Sequence, residues 1–322
     1  MRRLTHAPHA TWWLAWLLVA PAMGWARVPD GPDTPAAIQV APGVFMVAGA
    51  AGEPGPDNLG RTGNSGFIVG RTGVVAIDTG TSYRQGLALL AGIRRVTAKP
   101  VVLALVTHAR QEFLFGATAF QSQGIPVHMQ RQAAGMMRER CDHCLQTLHG
   151  LLGADAMQGT QLFKPDQEFE EPYTRDVAGR RIRVLGYGHS AGPGDVAVLD
   201  EQTGVLFAGG LLDYQRIPDV QDSDLPAWSA ALQALQALPL TAVVPGHGPV
   251  GPPDAIAAVA RYLAQLQQRV LALMQTGTSL LDVGAAASLP EFAAWDQYRT
   301  VHRRNAAVVY LRLEREHLFG RP

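Results

Sequence analysis

The feature that most constrains this chain is a run of six apolar residues, Val101–Val106, which ends abruptly at Thr107 and His108. A continuous apolar run of that length, bounded by polar residues, predicts a strand buried on both faces of a sheet. The residues that follow such a strand lie at the carboxyl edge of the sheet, where α/β folds place their chemistry. The run therefore predicts an α/β fold with His108 at a functional edge.

Two further histidines arrive at a strand end in the same way. His189 follows the predicted strand 181–187, and His247 follows the predicted strand 241–244 within the sequence Pro-Gly-His-Gly. Three strands that each end at a histidine predict that the three ends meet in one cleft. We expect the rest of the chain to act as the scaffold that brings them together.

Several motifs, taken in order along the chain, resemble those of the metallo-β-lactamase-fold hydrolases. They read NSGFIV, VAIDTG, TH followed by a glycine eight residues after the histidine, GHSAGPGD, VLFAGG and PGHG. The resemblance covers roughly residues 38–247 and rests on the order and spacing of the motifs. It implies a four-layer αβ/βα sandwich.

Within that superfamily the chain most resembles the periplasmic quinoprotein relay system zinc metallohydrolases. The similarity lies in the run from GNSGFIVG to the TH motif and in the sequence HRRNAAVVYLRLERE near the end of the chain. It implies zinc-dependent hydrolysis of an ester, a thioester or a lactam. It also implies a small-molecule substrate and an association with a periplasmic quinoprotein dehydrogenase system.

The metal-binding motif departs from the superfamily pattern H-x-H-x-D-H. The six residues that begin at His108 read HARQEF, so arginine, glutamate and phenylalanine replace the second histidine, the aspartate and the third histidine. Gly210 stands where the metal-bridging aspartate is expected. The site is therefore modified by Arg110, Phe113 and Gly210.

The resemblance assigns roles to the residues that remain. His108, His189 and His247 are the candidate metal ligands, and Glu112, at the aspartate position, is the candidate catalytic residue. Asp78, in the motif AIDTG, is expected to hydrogen-bond the loop that carries His108.

Arg110 decides how much metal such a site holds. A guanidinium group has no lone pair to donate and stays protonated in a protein. At ~5 Å from a dication and an effective dielectric constant of 20, its repulsion is roughly 6–7 kcal/mol. Arg110 then either swings away from a single unusual metal, pairs with Glu112 in the vacated site, or binds an anionic ligand. We expect the Arg110–Glu112 ion pair, and zinc at reduced stoichiometry or absent.

Two functions remain open on these grounds. One is a metal-dependent hydrolase of the family type. The other is a catalytically inactive pseudoenzyme that serves as a periplasmic binding or accessory protein. The metal content of the purified protein discriminates between them.

A C-x-x-C pair, Cys141 and Cys144, lies in the predicted helix 131–150. Such a pair is typical of redox or metal chemistry. In an exported protein it is also typical of a structural disulfide, and inert thiols are a further alternative. A second small metal site that uses His143 or His149 stays open.

The start of the chain and its overall charge bound where it works. Residues 1–26 contain two arginines, a short apolar core and small residues at the end, which predicts a cleaved signal peptide and a periplasmic or secreted protein. Residues 27–322 are then one metallo-β-lactamase-like domain with helices at its C-terminal end. The formal net charge is zero, so neither nucleic acid nor, after cleavage, a membrane is an expected partner.

The first prediction concerns this processing. Mass spectrometry of the mature protein from its native host should find an N-terminus at or near Arg27, because Gly24 and Ala26 provide the small residues that signal peptidases require. A cytoplasmic protein that retains Met1 would contradict the prediction.

Overall fold

The computed structural model describes residues 36–320, so the predicted signal peptide lies outside the described residues. This part of the chain contains both strands and α-helices. The strands are β1 Ala37–Ala41, β2 Val44–Val47, β3 Ser65–Val69, β4 Val74–Ile77, β5 Val101–Val106, β6 Val127–Gln130, β7 Gln167–Phe169, β8 Tyr173–Val177, β9 Arg180–Gly186, β10 Val196–Asp200, β11 Val205–Asp213 and β12 Ala242–His247. The α-helices are α1 Tyr83–Val96, α2 Gln111–Leu114, α3 Ala117–Gln121, α4 Arg131–Met157, α5 Leu225–Gln236, α6 Ala255–Gln275, α7 Leu280–Ala286 and α8 Val301–Phe319.

The strands form two sheets in which chain neighbours are also sheet neighbours. Strands β1 to β7 form the first sheet and β8 to β12 the second. Pairs joined by short turns are antiparallel, whereas β4 to β7 and the pair β11/β12 are parallel. The parallel pairs are those whose connections contain helices, because a parallel pair needs a crossover.

Three apolar clusters show how these elements stack. One cluster fills the space between the two sheets, where Val75 and Leu105 of the first sheet meet Val198 and Phe207 of the second. A second packs α1, α3 and α4 on the outer face of the first sheet. A third packs α5, α6 and α8 on the outer face of the second. The predicted four-layer αβ/βα sandwich is confirmed.

The predicted helices are also present, with some different ends. The stripe of apolar residues at helical spacing in 254–276 becomes α6, and its buried face includes Ile256, Leu263 and Val270. Asp224 caps α5 as expected, since its side chain accepts a hydrogen bond from the amide of Ala227. The helix predicted to end at residue 150 is followed by a kink at Gly153, where φ is 81°, and the span α4 ends at Met157. None of the helices in the described part of the chain is both long and apolar enough to cross a membrane.

Strand β11 is longer than its predicted span of 205–208, and this difference matters for the site. All nine of its residues are buried. The pair Gly209-Gly210 reads as a strand end, but the chain only shifts register there, with Gly209 at a φ of 52°, and then resumes. Leu211 and Leu212 hold the second half of the strand in the core. The strand therefore delivers Asp213 to the edge of the sheet.

Asn64, just before β3, ties the first sheet to the loop that carries His247. It is buried, and its side-chain amide donates to the carbonyl oxygens of Pro245 at 2.9 Å and Gly248 at 2.8 Å. Its Oδ1 accepts from the amide of Gly49 at 2.9 Å. One side chain thus satisfies three backbone groups from two segments of the chain.

We predict that Asn64→Ala lowers the free energy of unfolding by about 2–4 kcal/mol, because buried backbone groups lose their partners. Chemical denaturation measures the effect. The control is Gln233→Ala, which removes an exposed amide from α5, and should change stability by less than about 0.5 kcal/mol. Equal effects of the two substitutions would contradict the anchoring role.

Candidate functional site

The centre of the site is an ion-pair cluster that begins with Asp213 and His247. These residues are register partners at the ends of β11 and β12. The Nδ1 atom of His247 lies 2.7 Å from Oδ1 of Asp213, and both side chains are almost fully buried. Gly248 makes this turn possible, because its φ is 93° and a Cβ there would lie 1.8 Å from the carbonyl oxygen of Tyr214.

Glu112 and Arg110 complete the cluster from the segment that follows strand β5 of the first sheet. Oε1 of Glu112 lies 3.2 Å from Nε2 of His247, at ion-pair distance but without the alignment of a hydrogen bond. The guanidinium of Arg110 lies 3.7 Å from Oδ2 of Asp213 and donates to the carbonyl oxygen of Asp219 at 3.2 Å. His247 therefore stands between two carboxylates, and one of these also faces Arg110.

The expected ion pair between Arg110 and Glu112 is wrong. Arg110 precedes α2 in an extended conformation, whereas Glu112 lies in its first turn. Side chains two residues apart at a helix start do not face each other. Arg110 consequently turns towards Asp213, a partner that the sequence did not reveal, and Glu112 turns towards His247.

The cluster holds its charges firmly. Burial alone would raise the pKa of Glu112, but His247 and Arg110 outweigh it and lower that pKa to about 2. The same balance leaves the pKa of Asp213 below its usual value. Burial opposes the charge on His247, yet Asp213 and Glu112 raise its pKa. Two cations and two carboxylates thus neutralise one another.

His108 belongs to a separate network that resembles the support of a metal ligand. Asp78 accepts hydrogen bonds from the backbone amide of Thr107 at 2.8 Å and from its hydroxyl at 2.9 Å. The same hydroxyl lies 2.7 Å from Nδ1 of His108. When Asp78 is ionised, the hydroxyl proton points to the carboxylate, so Nδ1 of His108 donates and Nε2 keeps its lone pair. This Nε2 atom is buried and has no hydrogen-bond partner within residues 36–320.

Burial also tunes the two ionisable groups of this network. It raises the pKa of Asp78 to about 7, against the hydrogen bonds from Thr107 that lower it. It lowers the pKa of His108 to about 3, with the nearby charge of Arg110 acting in the same direction. His108 is therefore neutral at physiological pH.

Phe113 fills the space between the two buried imidazoles. Its ring centroid lies 4.3 Å from that of His108 and 5.2 Å from that of His247. Gly210 lies directly against His108, since a Cβ at this position would lie 2.8 Å from Cδ2 of the imidazole. The ring of Phe113 and the backbone of Gly210 thus lie next to His108, where further metal ligands would be needed.

His189 is not part of the cluster. It is exposed, and its Nε2 atom lies 2.6 Å from the carbonyl oxygen of Asp222. That contact occupies one of its two ring nitrogens.

The residues present do not fit a zinc ion. Across residues 36–320, no three His, Cys, Asp or Glu side chains are gathered in a way that could hold a metal. The predicted set of His108, His189 and His247 does not assemble there, and neither does one built on the cysteines with His143 or His149. Zinc ions in proteins take at least three protein ligands, so the geometry disagrees with a metal centre.

A cavity of about 410 Å³ opens beside the cluster. Arg110, Glu112, Asp213 and His247 contribute to its wall, together with residues of α4 and the segment after β11. Four arginines and five carboxylates line it, and further pairs such as Arg304 with Asp219, 2.8 Å apart, balance their charges. Its volume falls within the range of small-molecule sites.

The fold and the order of the motifs agree with one class of protein. The family model described as the metallo-beta-lactamase superfamily matches residues 59–247. The chain belongs to the metallo-β-lactamase superfamily. Among curated proteins it is similar to the linear primary-alkylsulfatase of Pseudomonas sp. (strain ATCC 19151), with 22% identity over 260 residues. That match covers 69% of this chain and 49% of the relative, so the chain spans about half the length of this relative.

Solved structures show the same fold. A metallo-β-lactamase from Pontibacter korlensis is 24% identical, with a TM-score of 0.58 over 71% of this chain and 99% of its own. A stereoselective inverting sec-alkylsulfatase from Pseudomonas sp. is 19% identical, with a TM-score of 0.65 over 86% of this chain and 50% of its own. At these identities the likeness supports the fold alone.

Two acidic residues of the site were missed from the sequence. Asp213 follows Gly210 by three residues at the end of an apolar run, a signal that was available. Asp195 ends the quoted motif GHSAGPGD, and burial raises its pKa to about 6. It lies close to Gly210, because a Cβ at that glycine would be 3.1 Å from its Oδ2.

We predict that His247→Gln lowers the free energy of unfolding by about 3 kcal/mol or more near pH 6, because it leaves two buried carboxylates without their shared cation. His189→Gln, the matched change at an exposed histidine, should have a small effect. Denaturant titrations of both variants and the wild type measure this.

The loss of stability in His247→Gln should depend on pH. The raised pKa of His247 means that its contribution is complete below the ordinary value of 6.5 and is lost as the pH rises through the raised value. The lowered pKa of Glu112 means that its part is present above the ordinary 4.5 and is lost as the pH falls towards 2. The difference in the free energy of unfolding between the wild type and His247→Gln should therefore be largest between these two pH limits. A difference that does not change with pH would contradict a charged cluster.

Proposed function

We propose that this protein is a metal-independent member of its superfamily that binds a small molecule in the cavity beside the cluster. The observation that carries the proposal is the pairing of Arg110 with Asp213 next to His247 and Glu112. A fixed positive charge opposes a bound dication, as the magnitude of the repulsion shows. The protein's own cations supply the positive charge that a metal would otherwise bring.

The same pairing argues against acid–base catalysis by these residues. A general base works best when its pKa lies near the working pH. Glu112 is held ionised with a pKa of about 2, which makes it a weak base. The two carboxylates raise the pKa of His247, which favours the protonated imidazole, a form with no free lone pair. The candidate catalytic residue is therefore assigned to the cluster and to the cavity wall.

The proposed ligand carries an anionic group that accepts hydrogen bonds. The side chain of Arg110 lines the cavity and is 24% exposed. A guanidinium has five N–H donors, which is more than the contacts of Arg110 with Asp213 and Asp219 use. The alkylsulfatase names of the relatives suggest alkyl sulfates as first ligands to test. An alkyl sulfate should raise the thermal midpoint of the wild type more than the matching alcohol, and an equal effect would remove the sulfate from the proposal.

Hydrolysis of an ester, a thioester or a lactam is the second candidate. It is favoured by one observation, the buried Nε2 atom of His108. Thr107 and Asp78 orient this imidazole through Nδ1, and no group within residues 36–320 donates a hydrogen bond to Nε2. Metal-binding histidines are held by such second partners. The hydrogen bonds that would orient a metal-binding histidine are thus present at His108, although no full set of ligands surrounds it within residues 36–320.

We also propose that the protein acts after export, in the periplasm and in association with a quinoprotein dehydrogenase system. The support is the signal-peptide pattern of residues 1–26 and the similarity of the terminal motifs. Recovery of dehydrogenase subunits with the tagged mature chain from a periplasmic extract tests the association, and their absence after cross-linking would count against it.

Elemental analysis tests the main proposal. After dialysis, the wild type should contain clearly less than one zinc per chain, because arginine, phenylalanine and glycine replace ligands. Joint replacement by Arg110→His, Glu112→Asp, Phe113→His and Gly210→Asp should recover binding, since metal affinity follows ligand number and geometry.

The control for this experiment carries the same four changes together with His108→Ala and His247→Ala. It should bind no zinc above the level of the wild type, which shows that any gain occurs at this site. Two tightly held zinc ions in the wild type would overturn the proposal and favour the hydrolase.

A further inference from the structure

The wall of the cavity contains two thiols that the proposed function does not use. Cys141 and Cys144 lie one turn apart on α4, and both contribute to the cavity that Arg110 and Glu112 line. Both are free cysteines. Their Sγ atoms are 3.0 Å apart, at hydrogen-bond distance for sulfur.

The two thiols differ in ways that suit different tasks. Cys141 is buried in the apolar cluster under the first sheet, whereas Cys144 is partly exposed at the cavity. The contact between the two sulfur atoms lowers the pKa of Cys144 to about 7, and the same contact together with burial raises the pKa of Cys141. The pair thus gives up its first proton readily, at Cys144, and retains the second.

A structural cross-link is a poor explanation of this pair. A disulfide stabilises a protein chiefly by closing a loop in the unfolded chain, and the gain grows with loop length. A bridge between residues three apart closes a very short loop within a helix that already holds them together. Partial exposure and a readily formed thiolate are instead the properties of a reactive cysteine.

We propose that Cys141 and Cys144 form a thiol–disulfide exchange site that opens into the cavity and accepts a small disulfide. Cys144 is the attacking thiol because it is the accessible one. Cys141 is the resolving thiol because its Sγ lies within reach of Cys144 and away from solvent.

The exchange takes two balanced steps. The Cys144 thiolate attacks one sulfur of the disulfide RSSR, an S–S bond to Cys144 forms, and the bond within RSSR breaks to release RS⁻, which takes a proton from water. Cys141 then loses its proton to water and attacks Sγ of Cys144, which releases the second RS⁻. The protein dithiol supplies two electrons, RSSR accepts them, and an excess of thiol reverses both steps.

Trapping with oxidised glutathione tests the proposal on the reduced, full mature chain. Cys141→Ser should accumulate one glutathione as a mixed disulfide at Cys144, because no resolving thiol remains. Cys144→Ser should react at least about tenfold more slowly, because its remaining thiol is buried. The wild type should release two thiols per chain and accumulate no mixed disulfide. Gln146→Ser, an exposed change on the same helix, should behave like the wild type.

Three results would overturn the proposal. They are equal trapping rates for the two single variants, a rate for Cys141→Ser no higher than that of the urea-unfolded chain, and a wild-type disulfide that a large excess of reduced glutathione leaves intact. If a variant does not fold, brief alkylation of the wild type followed by peptide mass spectrometry replaces it, and modification of Cys141 before Cys144 would also overturn the proposal. None of these readouts depends on zinc or on an anionic ligand held by Arg110, so they can fail without affecting the proposed function.

Discussion

The hydrogen bond between Asp213 and His247 is the interaction on which the rest of the site depends. It joins the ends of two parallel strands, fixes the imidazole between two carboxylates, and gives Arg110 a buried partner. Without Asp213, the guanidinium would enter the cleft as an uncompensated cation next to a charged histidine, at a cost of several kcal/mol. The replacement of a superfamily metal ligand by arginine is tolerated because this carboxylate is present.

The residues at the metal-motif positions form an inner and an outer layer. In the inner layer, the ring of Phe113 lies between the imidazoles of His108 and His247, and Arg110 and Glu112 bring their charges beside it. The outer layer still orients His108 through Thr107 and Asp78. That outer network also connects two strands of the first sheet, β4 and β5, so it contributes to the fold whether or not a metal is bound.

The fold could be predicted from the sequence because it rests on repeating patterns. The apolar run before His108 and the helical stripe of α6 each define an element without knowledge of its neighbours. The site could be predicted only in part, since it depends on where side chains point. Asp213 was missed because two glycines read as the end of β11, and the partner of Arg110 was wrong because neighbours in sequence diverge at the start of a helix. The exposure of His189 depends on the loop that follows β9, for which the sequence carries no periodic signal.

Asp213 holds Arg110 within one ion-pair cluster. Two double-mutant cycles on the free energy of unfolding test this pairing, one with Arg110→Met and Asp213→Asn and one with Arg110→Met and Glu112→Gln. We expect a coupling energy above about 1 kcal/mol in the first cycle and a smaller one in the second. Additivity in the first cycle to within about 0.5 kcal/mol, or the larger coupling to Glu112, would contradict it.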